Sequence, residues 1–210
     1  MKNKIIKILI SLIFITLVII GAIYIFKNIN SSNKTTTSNE VKIEKDIHEF
    51  GYILETNRSK FYKKEFENLS NILKKEEIDY EKYATSLSIL FVYDLYNLNS
   101  KTSKNDIGGT LFIHKDLVDN YVLNVQTTLY NHIENNFKGD RTQVLPEVTN
   151  VTLEKIEKSS YEYKDKIYHD SYDIVLNINY KEDLEYTTKV ELNVVKEDDD
   201  KLYVVELNEI

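Results

Sequence analysis

The residue that could do chemistry in this chain is Asp94. It lies inside Leu87-Ser88-Ile89-Leu90-Phe91-Val92-Tyr93-Asp94-Leu95-Tyr96, a run that is apolar nearly all round. A carboxylate in such a helix must be paired, be raised in pKa by desolvation, or border a cavity. The three cases correspond to a structural anchor, a proton-transferring acid and a polar contact for a ligand. The loop that follows, Asn99 to Gly109, closes on Asn105-Asp106-Ile107-Gly108-Gly109. Its paired glycines suit a positive φ or a close backbone approach. The expectation is therefore that Asp94 accepts hydrogen bonds from backbone amides of that loop. Asp94, Asn105, Asp106, Gly108 and Gly109, with His132 from the next element, form the candidate structural or ligand-facing polar site.

Nothing else in the sequence rises to a catalytic or metal-binding motif. His48, His114, His132 and His169 fall one to an element, without the i, i+4 pair of a zinc helix, and Tyr52 stands where a second histidine would follow His48-Glu49. The expectation for all four is scattered surface histidines. Asp198, Asp199 and Asp200 are adjacent, so they cannot all converge on one calcium ion, and they read as a solvated hairpin tip. With no Cys, the chain lacks thiolate catalysis, disulfides and Cys-ligated metals. No nucleophile elbow, phosphate loop or dinucleotide fingerprint occurs, and no cofactor is implied. From Glu40 onward, 22 bases face 34 acids. That balance repels phosphate backbones and argues against nucleic-acid binding.

Three helices and about four strands must position Asp94. Residues 57–75 place Phe61, Phe66, Leu69, Ile72 and Leu73 near one face, as a surface helix does. Asp79 is an N-cap for a second helix through Leu98, with Glu81 favourable to the dipole. This helix, the one carrying Asp94, is expected to be the most buried. A third runs from Lys115 to Asn136 on Val118, Val122, Val125, Leu129 and Ile133. The stretch from Phe50 to Leu54 reads as a strand or a loop. After Gly139 the period changes from 3.6 to 2, in Tyr172 to Tyr180, Thr188 to Val194 and Tyr203 to Leu207. Val151 and Leu153 begin an earlier strand whose next apolar residue is Ile156, a phase slip that a β-bulge would absorb. Short polar connections near Lys164 to Asp165, Lys181 to Glu185 and Glu197 to Asp200 suit an antiparallel meander. The predicted class is α+β, with helices on one face of the sheet.

Residues 1–26 read as a short cytoplasmic tail and a transmembrane anchor, 27–40 as a polar tether and 41–210 as an extracytoplasmic domain. Ile8 to Phe26 contains no charge and spans about 28 Å as a helix, close to the hydrocarbon thickness. Its Ile, Leu, Val and Phe residues contribute roughly −6 kcal/mol to insertion. The segment is longer than a signal-peptide core and lacks an Ala-x-Ala site, so an uncleaved signal anchor is favoured. Lys2, Lys4 and Lys7 outweigh Lys27 and Lys34, which puts the N-terminus in the cytoplasm of a single-pass membrane protein and the domain outside.

Two resemblances follow. Phe91-Val92-Tyr93-Asp94-Leu95-Tyr96-Asn97-Leu98 with Asn105-Asp106-Ile107-Gly108-Gly109 resembles uncharacterised single-pass membrane proteins of low-GC Gram-positive bacteria, which implies no activity. The order of tail, span, three helices and four strands is similar to the bitopic assembly factors of type IV secretion and conjugation machines. That similarity implies an outer domain of nuclear-transport-factor-2-like (NTF2-like) cone shape, and it transfers no residue roles. The leading expectation is a non-enzymatic interaction or scaffold domain, anchored in the lipid bilayer through Ile8 to Phe26 and holding an envelope protein; a homo-oligomer is compatible with it. The alternatives are a small-ligand sensor or carrier, whose pocket between helices and sheet uses Asp94 or His132, and an acid–base enzyme built on a desolvated Asp and a Tyr.

Overall fold

The computed structural model of the chain describes residues 42–163 and 166–210. The expected anchor at 8–26, the expected tether at 27–40 and the expected connection at 164–165 lie outside the described residues. No helix among those described is long and apolar enough to cross a membrane.

The chain enters with a β-hairpin, β1 (Ile43–Ile47) and β2 (Tyr52–Glu55), turned at Gly51 with φ 68°. Next come α1 (Lys60–Leu73) and α2 (Tyr80–Tyr96), then α3 (Val118–Thr127). Last is a meander of β3 (Val148–Tyr163), β4 (Lys166–Tyr180), β5 (Lys189–Lys196) and β6 (Leu202–Glu209), antiparallel in the order β3-β4-β5-β6. The α+β class and the four-stranded sheet match the sequence reading, β2 takes the strand alternative of the 50–54 stretch, and β1 ahead of it does not belong to the expected order.

Local causes are visible at each helix end. Ser59 caps α1, its hydroxyl accepting from Tyr62 N at 3.1 Å, so the helix starts three residues later than its apolar period suggested. Asp79 caps α2 as expected, accepting from Lys82 N. The third helix stops nine residues short of Asn136, a correction to the expected length. Thr127 and Thr128 turn their hydroxyls onto the carbonyls of Leu123 and Asn124, taking the backbone acceptors at the end of α3 and favouring a turn.

On the sheet, Ile174, Leu176, Ile178, Val190, Leu192, Val194 and Val204 are buried, while Asp173, Asn177, Lys189, Glu191 and Asn193 occupy the opposite, wetter face. The apolar face is covered by α2, which touches all four strands and is buried along almost its whole length. The register of β3 on β4 shifts between Leu153 and Lys155, where the sequence phase slips, and again near each end of the strand.

Candidate functional site

Asp94 sits in the last turn of α2, nearly out of solvent, where the negative end of the helix dipole disfavours a carboxylate. Three donors compensate. Gly109 N donates to Oδ2 at 2.8 Å, and Oδ1 accepts from Lys101 Nζ at 2.7 Å and from Arg58 Nη1 at 2.6 Å. Burial alone would raise the Asp94 pKa, but the charges of Lys101 and Arg58 and the hydrogen bonds from Lys101 and Gly109 outweigh it. The carboxyl is held below its ordinary range.

The two glycines have different reasons to be glycine. A Cβ on Gly108 would lie 2.0 Å from the Asp94 carbonyl oxygen, so this residue permits the loop to touch the helix end. Gly109 adopts φ 78°, and a Cβ there would meet the Phe91 ring at 2.6 Å. Tyr130, from the turn after α3, donates its hydroxyl to Leu95 O at 2.7 Å and accepts from Gly108 N at 3.3 Å. It thereby serves a carbonyl that the helix end leaves without an intrahelical partner. Tyr121 of α3 donates to Gly108 O at 2.6 Å, tying the same loop to the third helix.

Asp94, Arg58, Lys101 and Glu55 line a pocket of about 210 Å³; of the other expected site residues, Asp106 borders it and accepts from Thr102 N and Oγ1. Asn105 is exposed, bonded to Gln126 and Ser103, and does not line the pocket. His132 is exposed, and its backbone carbonyl is engaged by Gln143. His114 corrects a second expectation. It is 4% exposed, and its Nδ1 accepts from Asp116 N, so Nε2 donates to Glu197 at 2.8 Å. Glu197 also accepts from Tyr168 Oη at 2.9 Å and Lys166 Nζ at 2.6 Å. Desolvation opposes ionisation there, but the bonds from Lys166, Tyr168 and His114 win and hold its pKa at about 2.

Arg58, Lys101 and Glu55, whose carboxylate binds Arg58 Nε at 2.9 Å, were not legible as site residues. One signal was available. Arg58 and Arg141 are the two arginines among 27 basic residues. Arg58 bridges Glu55 and Asp94, and Arg141 donates to the carbonyls of Asn99 and Lys101, so each uses the planar fork to join separate segments around this site.

A second concavity lies between helices and sheet. Phe91, Tyr121 and Val125 face Val204, Val205 and Leu207 across a groove of about 320 Å³. Its lining is mainly apolar and includes neither Asp94 nor His132. Among the described residues, no group of three or more His, Asp or Glu is placed to hold a metal ion.

Fold and site together define an α+β domain whose central helix ends in a locked carboxylate. Compared with protein-family models, curated proteins and solved structures, the chain has no match in any of the three.

Proposed function

We propose that this chain is a membrane-anchored extracytoplasmic interaction domain, a non-enzymatic scaffold subunit of a conjugation- or secretion-like envelope complex, with an NTF2-like cone outside and its N-terminus in the cytoplasm. The observation that carries the reading is the apolar groove between α3 and β6 on an otherwise acid-rich domain, a surface suited to a protein partner. The groove occupies the place expected of a sensor's pocket, yet its lining is mainly apolar and excludes both Asp94 and His132, the polar groups a sensor was expected to use, which favours a protein. The depressed pKa of Asp94 removes the desolvated acid that an acid–base enzyme would use.

The test uses the full chain in its own membrane. A photo-crosslinking residue at Asn120, in the groove, is compared with one at Glu162, on the exposed end of the β3–β4 hairpin. Capture of the same envelope protein at Asn120, lost in Leu207→Lys and in a tail-and-anchor control, supports the proposal. Capture that is indifferent to position, to Leu207→Lys or to the outer domain overturns it. Topology is tested separately with Ser38→Cys in this cysteine-free chain, which an impermeant maleimide should label in intact cells.

A further inference from the structure

Lys101 is the residue at the α2 exit that its structural role explains least. Its side chain is 3% exposed, and among the described residues Asp94 Oδ1 is the one acceptor its ammonium reaches. An ammonium carries three donors, so two N–H groups are withdrawn from bulk water without an acceptor among those residues. They border a pocket of about 210 Å³ that Arg58, Glu55, Asn57 and Asp106 also line. Arg58 spends Nε on Glu55 and Nη1 on Asp94, which leaves Nη2 open. On the more exposed side, Glu55 engages Arg58 through Oε2 and Asp106 engages Thr102 through Oδ2, each keeping its second oxygen unused. A bare ion-pair cluster needs neither the surplus donors nor the space.

The sign of the lining narrows the ligand. Two cations, Arg58 and Lys101, stand against three carboxylates, Asp94, Glu55 and Asp106. A simple anion would add charge to a pocket already net negative, and a simple cation would face buried Lys101 and half-buried Arg58. A molecule carrying both charges satisfies both ends. The volume is several times the roughly 30 Å³ share of one water and below the about 300 Å³ at which drug-sized pockets begin, so the molecule is small. We infer that this pocket binds a small zwitterion of the α-amino acid class, its carboxylate on Lys101 and Arg58 and its ammonium toward Glu55 and Asp106. The site shares no lining residue with the α3–β6 groove, so it stands independently of the partner proposed for that surface.

The experiment is calorimetric titration of the full chain in detergent with glycine, L-alanine and L-serine, and with acetate and methylammonium as half-molecules. L-alanine or L-serine should bind saturably, and each half-molecule at least about tenfold more weakly. Lys101→Met should abolish binding. Because that variant also disturbs Asp94, Asn57→Trp provides the second arm: Asn57 is exposed at the pocket mouth, so the indole fills that mouth and should remove binding with the melting temperature unchanged. No binding of any amino acid, acetate binding as tight as alanine, or binding that survives Asn57→Trp overturns the inference.

Discussion

Two carboxylates in this domain each collect three donors, and they do so under opposite conditions. Asp94 ends a buried helix and draws its partners from the loops before α1 and after α2, two of them cations. Glu197 sits at the β5–β6 turn and draws on Lys166 and Tyr168 of β4 and on His114 ahead of α3, with Lys166 about half exposed. The number of bonds is the same, but the consequence of losing the acceptor is not. At Asp94 the loss leaves Lys101 stranded away from water while Arg58 keeps Glu55, whereas at Glu197 the lysine returns to solvent. What is left behind sets the energetic weight of a buried carboxylate more than the bonds it makes.

The sharpest break is Asp94→Asn. It should cost about 3–5 kcal/mol, read as a fall in denaturant midpoint at constant slope. Adding Lys101→Met should restore part of that loss, because the second substitution removes a stranded charge; no recovery would mean that Arg58 dominates. Gly108→Ala is next, at about 2–4 kcal/mol, since its methyl group would meet backbone 2.0 Å away with no side chain to yield.

Glu197→Gln should cost about 1 kcal/mol after allowance for solvent screening, and its signature is in pH. Folding lowers the Glu197 pKa from 4.5 to about 2, so its contribution is complete above pH 4.5 and fades as the pH falls toward 2. Urea midpoints of wild type and Glu197→Gln should therefore converge through that window; parallel acid limbs would show that Glu197 is not a source of the slope. Asp94, also depressed, adds to the wild-type slope with the same sign. The smallest effect is Asp200→Asn, a change in urea midpoint too small to resolve, because its partners Lys196 and Tyr80 meet it at a solvent-exposed hairpin tip.

How far the sequence reveals these features depends on how local the cause is. The Asp79 cap, the burial of α2 and the bulge after Leu153 were legible because each is written in neighbouring residues or in a period. The acceptance of Gly109 N by Asp94 was legible too, since an acid that cannot reach water and a glycine-closed loop constrain each other. Arg58 and Lys101 were not, because a basic residue in a lysine-rich chain carries no mark of a distant partner. The length of α3 misled because the apolar period continues past Thr127 while the threonine hydroxyls compete for the carbonyls that further turns would use. In the β1–β2 hairpin, β1 was hidden in the charged segment Ile43–Ile47, where the burial that makes a strand visible is nearly absent, whereas its partner β2 was one reading of the 50–54 stretch.

That hairpin also determines how the domain answers a pull. Force arriving at Lys42 acts on β1 first, a strand that among the described residues pairs with β2 alone and is clamped to α1 by Lys45–Glu67 and Lys63–Glu44 ion pairs. Because the load enters at the open end of an antiparallel pair, its rungs break one at a time in an unzipping geometry rather than together in shear. Five mostly exposed residues can thus be peeled away while the four-stranded sheet and α2 remain intact, which makes β1 a mechanical fuse ahead of the core.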